Sequence, residues 1–128
     1  TGHISPEESL ILCREGRKRG VNMILTHPEF PRTRIGRDDQ AELAKLGVVI
    51  EKNWFNLAQK SVMPEEMAET IRTVGSGHVY LATDRGQKGA PTPVSELKRF
   101  IAVMLTCGIA EAQIRDMVQK VPEEIVCR

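Results

Sequence analysis

Val21-Asn22-Met23-Ile24-Leu25-Thr26-His27-Pro28 is the stretch that decides the fold class. Val21 to Thr26 reads as a short buried strand, and His27-Pro28 stops it. The pattern returns twice further on. Val48-Val49-Ile50 is a second strand with Glu51 at its exit, and Val79 to Thr83 is a third with Asp84 at its exit. Helices lie between. Ser5-Pro6-Glu7-Glu8 opens the first: Ser5 caps it, proline suits the first helical position, and Glu8 completes a capping box. With Leu10, Cys13 and Leu12 facing inward, it ends at Arg19-Gly20. Asp38 or Asp39 caps a second helix, which runs through Leu43 and Ala44 to Gly47. A third runs from Met63-Pro64 to Gly75, a fourth from Pro93 to Cys107-Gly108, and a short last one from Ala110 to Lys120, before Pro122. Short apolar strands alternating with amphipathic helices predict an α/β fold of parallel strands with helices outside.

The length, 128 residues, suits one domain over 1–128 that buries about two-thirds of its surface. A formal net charge of +1 gives no electrostatic reason to expect nucleic acid or an anionic membrane as partner. No apolar run approaches the roughly 20 residues needed to cross a bilayer. No signal peptide opens the chain, so a cytoplasmic protein is expected. Cys13, Cys107 and Cys127 are an odd number without close spacing, which reads as reduced thiols. The chain begins at Thr1 without an initiator Met, as a processed terminus or a piece of a longer polypeptide would.

The chemistry lies in where polar residues stand. In parallel α/β folds, functional groups gather at the carboxyl ends of strands. His27, Glu51 and Asp84 each follow an apolar strand, and His3 directly precedes a capped helix, where another strand would just have ended. Two imidazoles and a carboxylate suit zinc, iron or manganese and leave a position open for water. An Asp beside that water can also take its proton as general base. Each residue has a plainer reading too. His27 ends a strand or bonds a loop, Asp84 makes a turn with Arg85, and Glu51 beside Lys52 is a solvated or salt-bridged strand end. His78 precedes its strand and is read as structural. Trp54-Phe55 either lines a pocket or packs under a loop. Arg14, Arg17, Lys18 and Arg19 lie along one helix and read as a solvated face. A glycine-rich phosphate loop and a nucleophile elbow are both missing.

Thr1-Gly2-His3 with Ser-Pro-Glu-Glu, Thr26-His27-Pro28, Ile50-Glu51 and Ala82-Thr83-Asp84-Arg-Gly-Gln together resemble the C-terminal half of amidohydrolase-superfamily barrels, closest to a poorly characterised cytosolic branch. Gly108-Ile109, a short helix and Pro122 resemble that superfamily's ending, except that Val121 stands where the superfamily has Asn. The likeness implies the second half of a (β/α)8 TIM barrel, strands 5–8 with their helices. It implies one or two divalent metals, zinc ahead of iron or manganese, and hydrolysis of an amide, ester or related bond in a small polar substrate. By motif, His3 and His27 would be metal ligands ending the fifth and sixth strands, and Asp84 the ligand and general base ending the eighth. Glu51, Trp54 and Arg85 are candidate substrate contacts. The superfamily's first-strand His pair and fourth-strand ligand would lie outside this chain. A half-barrel exposes a sheet edge and inner face, so a homo-oligomer or pairing with a missing N-terminal half is expected. The rival expectation is a non-catalytic α/β half-barrel serving as a structural or assembly module.

Overall fold

Residues 1–127 are described by the computed structural model. Helix α1 spans Pro6–Lys18, and its cap works in both directions. The Glu8 N–H donates to Ser5 Oγ at 3.2 Å, and the Ser5 N–H donates to Glu8 Oε2 at 2.9 Å. Arg17, on its last turn, does not simply face solvent. Its Nε donates to the Leu46 carbonyl oxygen and one Nη to that of Val21, both at 2.9 Å, binding the end of α1 to two neighbouring turns.

Three strands follow in chain order, β1 (Ile24–Leu25), β2 (Val49–Asn53) and β3 (Val79–Ala82). They form one parallel sheet in the order β1-β2-β3. Helix α2 (Arg37–Lys45) connects β1 to β2, α3 (Trp54–Ala58) and α4 (Pro64–Val74) connect β2 to β3, and α5 (Pro93–Thr106) follows β3. Helix α1 packs on α2, α2 on α4, and α4 on α5, which sets these four side by side in one layer. The α/β fold class expected from the sequence is thus present, as an open three-stranded sheet.

Register explains which residues enter the core. Partners across a parallel ladder share a face, and successive residues alternate. Leu25, Ile50 and Val79 are therefore aligned, as are Lys52 and Leu81, and all five are buried. Against them pack Cys13 of α1, Leu43 of α2, Met67 and Ile71 of α4, and Phe100 and Met104 of α5. Fully burying one such aliphatic or aromatic side chain contributes about 1.5–3 kcal/mol. The other face carries Ile24, Val49, Tyr80 and Ala82, all only half-buried, with Glu51 and Asn53 among them.

Two local expectations are corrected. Strand β2 does not end at Ile50 but continues through Asn53, so Glu51 lies inside the strand and the exit falls at Asn53-Trp54. Continued pairing with β3 outweighs the poor strand propensity of Glu-Lys-Asn. Directly after it Asn53 caps the short helix α3, its Oδ1 accepting from the Asn56 N–H at 3.0 Å. The last helix does not stop before Pro122. Helix α6 (Glu111–Arg115) passes through a π-helical turn (Asp116–Lys120) into α7 (Val121–Val126). The looser turn accommodates a residue that lacks an N–H and crowds the preceding carbonyl. Met117 and Val121 bury there, against the side of the molecule holding β3. No helix among the described residues is long and apolar enough to cross a membrane.

Candidate functional site

At the exit of β1 the chain turns sharply. His27 adopts a left-handed backbone (φ +37°), and Pro28 follows it. The Phe30 N–H closes the turn on the His27 carbonyl at 3.0 Å. The His27 ring is buried, with Nδ1 3.3 Å from Thr33 Oγ1. The Thr33 hydroxyl in turn donates to the His27 carbonyl oxygen at 3.4 Å. Assigned from that network, Nδ1 carries the proton and Nε2 keeps a free lone pair.

His3 comes to the same place from the turn before α1. Its ring centroid stands 4.7 Å from that of His27, and Phe30 meets both rings at 5.7 and 5.6 Å. His3 is exposed while His27 is buried. The turn is pinned from behind by Thr1, whose amino group donates to the Ile24 carbonyl oxygen at 2.9 Å. The Thr26 N–H donates to Thr1 Oγ1 at 3.2 Å.

Asp84 ends β3 in the same left-handed conformation as His27 (φ +50°), with its side chain exposed. The turn pairing of Asp84 with Arg85 is not formed. Arg85 Nε instead stands 3.3 Å from Glu96 Oε2, although the angle does not make it a hydrogen bond. The structure thus brings His3 and His27 together, and Asp84 stands apart. Among the described residues no three His, Cys, Asp or Glu side chains are gathered closely enough to hold a metal. β2 lies between β1 and β3, and at about 4.8 Å per strand the two exits are about 10 Å apart at the backbone.

The remaining candidates have definite partners. Glu51 is not solvated: its carboxylate accepts from Tyr80 Oη at 2.7 Å and from Asn53 Nδ2 at 3.1 Å, on the open face of the sheet. Burial first, then the Glu51 charge and hydrogen bond, push the Tyr80 phenol well above its ordinary pKa. Trp54 Nε1 donates to Glu96 Oε2, and the Trp54 ring lies 6.0 Å from that of Phe100. Glu96, on α5 and 2% exposed, also pairs with Arg99 at 3.0 Å. One buried carboxylate therefore fixes both Trp54 and Arg85 beside the exits of β2 and β3. His78 sits at the opposite end of the sheet, where it lines a small cavity with Val49 and Val121.

Two polar groups escaped the reading of the sequence. Glu96 looks like any helical glutamate, and only the loops folding over it make it a hub. Lys52 is fully buried on the helix-covered side, bonded to Glu29 and Gln40. Its signal was available: in a strand, Lys52 shares the face of Ile50.

A family model described as "Family of unknown function (DUF6282)" matches residues 1–51, the segment from Thr1 to Glu51 that holds both histidines of the cluster. No curated protein and no solved structure matches the chain.

Proposed function

We propose that this chain forms the C-terminal part of a metal-dependent hydrolase barrel of the amidohydrolase type, from the end of strand 5 through strand 8, acting on a small polar substrate. The observation that carries the reading is the meeting of His3 and His27 at one strand exit, with rings 4.7 Å apart and the Nε2 of His27 left free. Sequential parallel strands under a single layer of helices are what a barrel segment would show. The hydrogen bond from Thr1 to Ile24 runs along the outer edge of β1, where a preceding barrel strand would pair.

The two imidazoles fit a divalent metal as two of its ligands, with the Thr33 contact holding the His27 ring in the required tautomer. They are an incomplete donor set, so Asp84 and groups outside this chain would have to complete it. A bound divalent metal supplies the Lewis acidity that hydrolysis of an amide or ester requires. Asp84, exposed at the exit of β3, would take the proton of the attacking water. Glu51 and Tyr80, hydrogen-bonded on the open face, would line the substrate's side of the site.

Zinc uptake by the purified chain tests this. Zinc titration followed by the His3 and His27 ring NMR signals should show weak, saturable binding by the wild type that is lost in both His3→Ala and His27→Ala. Binding unchanged in His27→Ala would remove the ligand assignment. No zinc, iron or manganese bound by any form would favour the non-catalytic structural or assembly module instead.

A further inference from the structure

The exit of β3 holds a guanidinium that has no hydrogen bond of its own. Arg85 follows Asp84 directly, at the end of the sheet where the loops of a parallel α/β fold carry binding groups. Its Cζ lies 6.0 Å from the centre of the Phe55 ring, and its Nε stands 3.3 Å from Glu96 Oε2. These two contacts fix where the group sits. Neither satisfies its donors, because Glu96 Oε1 already accepts from Arg99 Nη1 at 3.0 Å and Oε2 from the Trp54 indole N–H.

An arginine carries five N–H donors in a planar fork, and enclosed donors without an acceptor are costly. Nε of Arg85 is buried with no partner, and among the described residues no acceptor meets its two terminal nitrogens. The side chain keeps 15% of its surface exposed, and the terminal nitrogens share in it, so a ligand can reach them. Positive charge is also in excess here. Arg85 and Arg99 share the single carboxylate of Glu96, which is 2% exposed, and Asp84 does not pair with Arg85. The chain beyond, Gly86 to Gly89, is exposed and adds Lys88 but no acid.

We propose that Arg85 is the receptor for a carboxylate of the ligand, so that the substrate of the proposed hydrolase is an amide or ester bearing a free carboxylate. A carboxylate matches the guanidinium fork with two parallel N–H···O bonds, made end-on at the two terminal nitrogens. Glu96 remains behind Nε as the positioning group, and Phe55 lies against the guanidinium. The substrate class rests on the hydrolase reading. The receptor does not, since it uses neither histidine and no metal.

The test is a titration of the full chain with sodium acetate at constant ionic strength, with methylammonium chloride as the cationic counterpart. The NMR signals of the Arg85 Nε–H and the Trp54 indole N–H, both beside Glu96 Oε2, should shift saturably with acetate and not with methylammonium. Arg85→Lys keeps the charge beside Glu96 but loses the planar fork, and should weaken acetate binding by about threefold or more. Arg85→Met should abolish the response of the indole signal. His27→Ala should leave acetate binding unchanged, which separates the receptor from the histidine site. Zinc binding without acetate saturation overturns the receptor alone, whereas acetate saturation without zinc binding upholds it and removes only the hydrolase. Linear shifts, equal shifts with methylammonium, or unchanged affinity in either Arg85 variant overturn the proposal.

Discussion

Lys52 Nζ has no exposed surface and is held by the Glu29 carboxylate and by Gln40 Oε1, the latter at 2.5 Å. Burial drives the lysine pKa down, while the Glu29 charge and hydrogen bond oppose the shift. Removing either partner leaves the other ionisable group buried alone. Lys52→Met and Glu29→Gln should each cost about 3 kcal/mol in urea unfolding. The double variant should cost at least about 1 kcal/mol less than their sum. Strict additivity would mean that the two groups do not stabilise one another.

Tyr80 predicts an alkaline limit. Its folded pKa is raised, by burial first and by Glu51 second, so the folded chain keeps a proton that the unfolded chain releases. The sign follows directly: its contribution is complete below the ordinary value of 10.0 and declines as pH rises beyond it. In urea titrations from pH 9 to 11, Tyr80→Phe should flatten that decline. Cys13, also raised by burial, is present in both proteins and cancels in the difference. At neutral pH the variant should lose about 1–2 kcal/mol, because Glu51 loses a donor.

Asp84 and Lys60 are both left-handed, at φ +50° and +56°, and both are exposed. Glycine removes the steric cost that a Cβ incurs there, and Asp tolerates the region better than Lys. Lys60→Gly should stabilise by about 1 kcal/mol in thermal unfolding, and Asp84→Gly by about half as much. With the rest of the barrel supplied, only Asp84→Gly should reduce zinc-dependent ester hydrolysis. Equal activity in the two variants would count against Asp84 as the proton acceptor.

Glu96 holds Trp54, Arg85 and Arg99 together. Glu96→Gln leaves Arg85, which also lies 6.0 Å over the Phe55 ring, without its counter-charge. A loss of about 2–3 kcal/mol is expected. Trp54 is the only tryptophan, so its emission reports on this contact alone. It should shift to the red as the indole gains water, and an unchanged spectrum would mean that Glu96 does not position Trp54.

The histidine cluster was partly legible in the residues. His27-Pro28 marks a strand exit locally, because proline cannot continue a ladder and forces the preceding backbone out of the helical region. His3 was placed by its position before a helix cap and by the family resemblance, and the 4.7 Å approach of the rings is accompanied by Thr1 bonding to β1. Asp84 shows the limit of such reasoning. Its strand exit was correctly placed, but standing at a strand exit does not specify which side chains converge.

The sequence by itself determined the alternation of helices and strands, the capping of α1 by Ser5 and Glu8, and the amphipathic character of the helices. These follow from backbone hydrogen bonding and periodicity within a dozen residues. Only the tertiary structure decided that β2 runs on through Glu51 to Asn53, that Lys52 is buried against Glu29, and that Glu96 gathers Trp54 and Arg85. A charged side chain can be buried only where distant segments supply its partners, and that supply is a property of the assembled fold.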